Sequence, residues 1–251
     1  MIKVIKSGPL LSIQDFGRNG YRHLGVSQSG SLDPYAQTIA NCLLNNDKNA
    51  AVLEVTVGLC ELAFECNTVI ALFGADLNAT LDEKPIYPGW TYNIKQKQVL
   101  KFSTGRAGLR AYIAVKGGIQ SPVVMNSKAT DLNAGFGGLN GKSLIAGDTI
   151  KITPYQSEFT QCGALMPPIN GFTQSSFKVS HNSNRMGVRL QSDNYSLTHS
   201  HSLPSLAVSP GSIQLPPNGE PIVLLNDAQT TGGYPLLGTV IEADLHQFAQ
   251  Y

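Results

Sequence analysis

Three stretches of this chain gather residue types suited to gripping a small polar molecule. The decapeptide NDAQTTGGYP, residues 226–235, follows the apolar run PIVLL directly. Side chains at the end of a rigid strand are held where a ligand needs them, so Asp227, Gln229, Thr230, Thr231, Gly232, Gly233 and Tyr234 are candidates for a site. HNSNRMGVRL, residues 181–190, places Asn184 and Arg185 in a tight turn, with Arg189 in the strand that follows. SIQDFGRNGYRHLGVSQSG, residues 12–30, sets Gln14, Asp15, Arg18, Arg22, His23 and Ser29 among glycines. Arginine offers a planar fork to carboxylate or phosphate; threonine hydroxyls and glycine N–H groups hold an anion or a carbonyl without adding charge. Two readings are open. Either the three stretches form a polar, anion-friendly pocket, or the arginines pair with Asp15 and Asp227 to tie loops together and TTGG is a bulged turn.

Other groups carry weaker signals. His199 and His201 in THSHS could share a face and hold a metal, but no third ligand is apparent, and a solvated loop is the simpler expectation. No metal site is therefore assigned. Asp76 and Asp131 sit at strand ends, where an Asx-turn is expected before a general base. GFGGLNG belongs to no βα turn, and neither GxxxxGK[ST] nor a strand-GxGxxG-helix unit occurs, so ordinary turn chemistry is expected there. Cys42, Cys60, Cys66 and Cys162 form no CxxC pair and read as reduced thiols.

The elements that must position these groups are mainly strands. With 251 residues, 42% of them hydrophobic, the chain can build one large or two small cores. Twenty-five glycines and 14 prolines punctuate short β-branched runs: AAVLEVTV, CELAFE, TVIALFG, TYNI, QVLKFS and LRAYIAVKGG. Charged residues such as Glu54, Glu61 and Glu65 lie between apolar ones, the mark of half-buried antiparallel strands in a barrel or sandwich. One helix is expected in SLDPYAQTIANCLLNN, capped by Asp33, opened by Pro34, and burying Tyr35, Ile39, Cys42 and Leu43. Residues 154–174 read as a linker. FKVS, GVRLQ, SIQLPPNGEPIVLLND and PLLGTVIEAD then form a second β unit ending in a short helix, ADLHQFAQ. PPNGEP is its turn signal. The fold class is therefore mainly β in two subdomains, residues 1–155 and 156–251, with a few short helices. Lys and Arg total 18 against 17 Asp and Glu, with no basic cluster, which argues against nucleic acid as a partner. No apolar run approaches bilayer length and MIKVIKSG is no signal peptide, so the expectation is no membrane and a cytoplasmic location.

QDFGRNGYRHLGVSQSGSLDPYAQTIANCLL, AVLEVTVG, FGADLNATLD, AYIAVKGGI, SNRMGVRL, SPGSIQLPPNGEPIVLLNDAQTTGGYP and TVIEADLHQFAQ resemble the biotin-dependent carboxyltransferase family, also called allophanate hydrolase subunit 2. The resemblance runs from Met1 to Gln250. Within that family, SNRMG and NDAQTTGGYP are most similar to the C component of bacterial ATP-dependent 5-oxoprolinases. The resemblance implies two cyclophilin-like β-barrel subdomains and a heteromeric assembly with 5-oxoprolinase subunits A and B, of which B is kinase-inhibitor-like. It implies an ATP-hydrolysing amidohydrolase, active as a complex, that cleaves 5-oxoproline to glutamate. ATP, with Mg²⁺, is then the implied cofactor. The alternatives are a carboxyltransferase acting on urea- or allophanate-like amides, with biotin brought by a partner, and a non-enzymatic partner of a kinase-inhibitor-like protein.

Under the first reading the catalytic candidates are Arg185, Asp227 and Gln229. Arg22, Asn184, Thr230, Thr231, Gly232, Gly233 and Tyr234 are the substrate-binding ones. Arg185 and Arg22 would stabilise phosphate charge, Asp227 would orient Arg185 or a metal-bound phosphate, and Gln229, Thr230 and Thr231 would hold a lactam or its carboxylate. The expectation is that the loops around Arg22, Arg185 and Gln229 converge into one solvent-accessible cavity. Two departures from the family pattern stand out: the chain is short between Pro154 and Phe177, and it stops at Tyr251 where relatives continue. A barrel lacking strands presents an unpaired edge.

Overall fold

The computed structural model describes residues 1–155, 157, 159–160, 163, 177–191 and 205–251. The first unit contains strands β1 (Ile2–Ser7), β2 (Leu10–Gln14), β3 (Val52–Thr56), β4 (Cys60–Phe64), β5 (Thr68–Asp76), β6 (Thr80–Leu81), β7 (Lys84–Pro85), β8 (Trp90–Ile94), β9 (Val99–Lys101), β10 (Ala107–Val115), β11 (Ile119–Gln120) and β12 (Thr149–Ile152). They form a seven-stranded sheet ordered β11-β12-β1-β4-β9-β6-β7 and a five-stranded sheet ordered β2-β3-β10-β5-β8. Between the sheets lies the largest core, where Ile2, Val4, Leu11, Ile13, Leu53, Val55, Leu62, Ile70, Leu72 and Ile113 pack together. These residues alternate along their strands, as period-two side-chain direction requires.

The second unit contains β13 (Lys178–Val179), β14 (Gly187–Gln191), β15 (Leu206–Ala207), β16 (Ser212–Gln214), β17 (Ile222–Leu224), β18 (Thr231–Gly232) and β19 (Leu236–Thr239). Its main sheet runs β13-β14-β17-β16-β19, and β15 pairs with β18 alone. PPNGEP is the expected turn between β16 and β17: Gly219 takes φ +78° and its N–H donates to Pro216 O at 3.0 Å. The fold is mainly β with few short helices.

Helix α1 (Pro34–Leu43) starts as its sequence dictates, with Asp33 Oδ1 accepting from Ala36 N at 2.8 Å and Pro34 in the first turn. The buried stripe is rotated from the one expected. Ala36, Gln37, Ala40 and Asn41 face the sheet, whereas Tyr35 and Cys42 are exposed and Ile39 and Leu43 are only partly buried. Small alanines let the helix axis approach the outer face of β5 and β10, and the two amides are not stranded. Asn41 donates to Ala50 O at 2.8 Å and Gln37 to Lys48 O at 3.3 Å. Packing and hydrogen bonding together override the raw apolar pattern.

The halves interlock. Leu32 of the first unit packs with Val188, Val223, Leu225 and Phe248 of the second. At the chain end come α2 (Glu242–Leu245) and the 3₁₀ turn His246–Gln250. Gln250 Oε1 accepts from Leu109 N and Arg110 N at 3.2 and 3.3 Å, and its Nε2 donates to Asp33 Oδ2 at 2.9 Å. The last turn is thereby bound to β10 and to the cap of α1.

Candidate functional site

Glu54 marks where the alternation argument misses. It occupies an outward-facing position of β3, but the second unit covers that face and leaves it 0% exposed. Its Oε2 accepts from Leu32 N at 3.0 Å and from the Tyr112 hydroxyl at 2.9 Å. Its Oε1 accepts from Arg185 Nη1. Arg185 also donates through Nε to Asp227 Oδ2 at 2.9 Å, through Nη2 to Asp227 Oδ1 at 3.2 Å, and through Nη2 to Gly30 O. Burial by itself would lower the guanidinium pKa; Asp227 and Glu54 reverse that and leave it raised. One cation thus ties β3, the Gly30 loop and the Asp227 loop across the junction between units.

This geometry corrects two sequence expectations. Arg185 is buried with its nitrogens occupied by protein acceptors, so it has no face for a phosphate or a lactam. Asp227 does orient Arg185, but as a structural partner. The reading in which an arginine pairs with Asp227 to tie loops holds for this pair. Asp15 is satisfied differently, accepting from Gly17 N, Ser127 Oγ and Lys128 N at 2.8, 2.6 and 2.6 Å. Asp76 and Asp131 form Asx-turns, Asp76 Oδ1 accepting from Asn78 N and Asp131 Oδ1 from Asn133 N, each at 3.1 Å.

Two residues beyond Asp227 the surroundings change. Ala228 is fully buried, while Gln229, Thr231 and Tyr234 are exposed and Thr230, Gly232 and Gly233 are partly so. This ribbon is joined to the 12–30 loop by Arg22, whose Nη2 donates to Val208 O and, at 3.3 Å, to Gln229 O. Val208 N donates back to Thr230 O at 3.0 Å. Arg22 Nη1 is out of solvent with no hydrogen-bond partner, and burial lowers the pKa of the group. Asn184 lies apart from the ribbon in its own turn, where its Oδ1 accepts from Met186 N at 2.8 Å. The loops of Arg22, Arg185 and Gln229 meet through Arg22 with Gln229 O and through Arg185 with Gly30 O and Asp227, but Arg185 itself is buried among Glu54, Gly30 and Asp227.

Gln214 is the residue that sequence reasoning passed over. It lies on β16, 1% exposed, and its Nε2 has no hydrogen-bond partner. It presses on the ribbon from below: a Cβ on Gly232 would fall 2.2 Å from Gln214 Nε2. In SIQL nothing distinguishes it, because its flanking Ile213 and Leu215 suggest that it points outward. Beside the ribbon, a cleft of about 530 Å³ opens at the junction, lined among others by Asn19, Gln28, Pro34, Asn226, Glu242 and His246. Of the candidate decapeptide, only Asn226 reaches it.

Among the described residues no three His, Cys, Asp or Glu side chains gather to hold a metal ion. His199 and His201 lie outside the described residues, as does Cys162. Cys42, Cys60 and Cys66 are free thiols, and burial pushes Cys60 up to about 12. The two arginines expected to hold phosphate do not form a triphosphate cradle by themselves: Arg185 is fully engaged, and Arg22 keeps one nitrogen unpaired. No step on this chain is derived through the nucleotide. No described helix is long and apolar enough to cross a membrane.

The family profile described as carboxyltransferase domain, subdomain A and B, matches residues 24–168 and 166–251. The chain belongs to this family. Among carboxyltransferase-domain relatives, the C component of 5-oxoprolinase from Escherichia coli (strain K12) is 40% identical over 271 positions, covering 100% of this chain and 87% of the relative. Those 271 positions exceed the 251 residues here, so the relative carries internal residues that this chain lacks. Urea amidolyase of Saccharomyces cerevisiae is 29% identical over 99% of this chain and 16% of its own length. Among solved structures, the Kluyveromyces lactis urea amidolyase superposes with a TM-score of 0.87 at 26% identity. The protein TTHA0988 gives 0.88 at 27%. This chain spans 18% and 53% of those two chains.

Proposed function

We propose that this chain is one component of an ATP-dependent 5-oxoprolinase, working in the cytoplasm with A- and B-type subunits. In the reaction, one water adds across the lactam C–N bond of 5-oxoproline to give glutamate, and a second is taken up as ATP becomes ADP and phosphate. The observation that carries this reading is the 40% identity to a 5-oxoprolinase C component across the entire chain. The chain's own geometry supports the role of a component: two buried donors without partners, on Arg22 and Gln214, lie against the ribbon, whereas nucleophile, base and nucleotide cradle are not assembled from the described residues. ATP and its Mg²⁺ belong, on this reading, to surfaces completed by the partners.

Mixing the chain with its cognate A and B subunits and following ATP hydrolysis tests this directly. Phosphate release should require 5-oxoproline and all three proteins. Release that ignores 5-oxoproline, or that proceeds equally without this chain, would refute it. The carboxyltransferase reading keeps support from the 29% identity to a urea amidolyase over 99% of the chain. It requires a biotin-bearing partner, and avidin sensitivity of a urea-dependent activity would select it.

A further inference from the structure

A buried carboxamide whose N–H₂ lacks a partner is costly, on the order of 1–3 kcal/mol, and calls for an explanation. Gln214 is such a group, and it sits beneath the one segment of the second unit that combines exposure, hydroxyls and two adjacent glycines. Its Nε2 is the end left without a partner. Two residues along the same ribbon lies Thr230, paired with Val208, whose carbonyl holds Arg22. At about 3.3 Å of rise per residue, Gly232 and Thr230 are roughly 7 Å apart. Gln214 thus lies against the ribbon at Gly232, and Arg22 holds it near Gln229 and Val208.

The chemistry of the pair is selective. A carboxamide carries a donor and an acceptor side by side in one plane. Its complement is a group with N–H and C=O on the same side, the cis-amide geometry that a five-membered lactam ring enforces and that urea also presents. A guanidinium nitrogen in half-dry surroundings complements a carboxylate. Access requires the ribbon to lift: among the described residues β15 and β18 pair over two residues, Leu206 with Gly232 and Ala207 with Thr231, and the bonds of Val208 N to Thr230 O and of Arg22 to Val208 O and Gln229 O must open with them. A two-stranded pairing of that length is marginal by itself.

We propose that Gln214 and Arg22 form the recognition site for a cis-amide ring bearing a carboxylate, Gln214 pairing with the lactam edge and Arg22 Nη1 with the carboxylate. This rests on the 5-oxoprolinase reading for the identity of the ligand, not for the existence of the site. Gln214 is a substrate-positioning group here, and the Gly232–Gly233 ribbon is its movable cover.

The test titrates the intact chain, selectively ¹⁵N-labelled at glutamine side chains, with 5-oxoproline and with 2-pyrrolidinone, which keeps the lactam and lacks the carboxylate. The Gln214 side-chain amide signals should shift with both, and 5-oxoproline should bind at least tenfold more tightly. Gln214→Met should lose binding of both by tenfold or more while its thermal midpoint stays at or above that of the wild type. An unchanged affinity in Gln214→Met, no Gln214 shift at saturating 5-oxoproline, or a Gln214→Met chain that unfolds earlier would each overturn the proposal. A shift at Gln214 together with no 5-oxoproline-dependent ATP hydrolysis in the three-subunit mixture would instead refute the assigned activity and leave the site standing.

Discussion

Asp227 and Gln229 are separated by one alanine, and their surroundings obey opposite rules. Around Asp227 the buried charges pair with one another: Arg185 bridges two carboxylates and a carbonyl, and Glu54 takes the Tyr112 hydroxyl besides, although Arg18 and Arg110 nearby keep guanidinium nitrogens without partners. Around Gln229 the chain is exposed, and Arg22 Nη1 and Gln214 Nε2 are left without partners. The comparison teaches that charge density is a poor guide to a site. The arginine with more ionic neighbours is the one that cannot bind anything further, and the uncharged glutamine retains the capacity to recognise a ligand.

If the Asp227 side is a structural tie, its removal should be felt in stability first. Arg185→Met leaves Glu54 and Asp227 buried without a counter-charge and should cost about 3–5 kcal/mol, read from urea unfolding. A loss under about 1 kcal/mol would mean that the halves are held elsewhere. On the ribbon side the largest effect should come from crowding. Gly232→Ala drives a Cβ toward Nε2, the free end of the Gln214 side chain, and should cost about 1 kcal/mol, most of it recovered when Gln214→Ala is added. A double mutant as unstable as the sum of the two singles would place the strain away from Gln214.

Smaller effects sharpen the contrast. Burial raises the Asp33 pKa from its ordinary 3.8, against the pull of the Ala36 N–H and Gln250. The folded chain then holds that proton more tightly than the unfolded chain, so the contribution of Asp33 to stability is greatest below the ordinary carboxylate range. It declines as pH rises through the folded value. Asparagine caps helices about as well as aspartate. Asp33→Asn should thus match the wild type within a few tenths of a kcal/mol at low pH and gain on it toward neutrality, in thermal melts recorded across pH; the opposite slope would refute the assignment. Least of all, Gln229→Ala on the exposed ribbon should change stability by no more than about 0.5 kcal/mol.

Much of the fold was legible because local signals agreed with one another. Asp33-Pro34 opened α1, alternation placed the strands of the first unit, and Gly219 closed the β16–β17 turn. Where the reading failed, a surface invisible to local sequence decided the outcome. The stripe of α1 turned because Ala36 and Ala40 admit closer packing than the larger apolar residues do. Glu54 was assigned to a wet face because alternation cannot say that another unit covers it. The three stretches lie together in the fold, yet residue type could not reveal that Arg185 would be enclosed where they meet. Gln214 gave no warning at all, since an amide between Ile213 and Leu215 has the spacing of an ordinary outward-facing residue.

The most direct test of this division of labour is the KM for 5-oxoproline of the reconstituted three-subunit assembly carrying Gln214→Met. A rise of tenfold or more, with the variant chain as heat-resistant as its parent, is the expected result. A parental KM accompanied by a lowered melting point would contradict it, showing that Gln214 supports the fold and that recognition resides elsewhere.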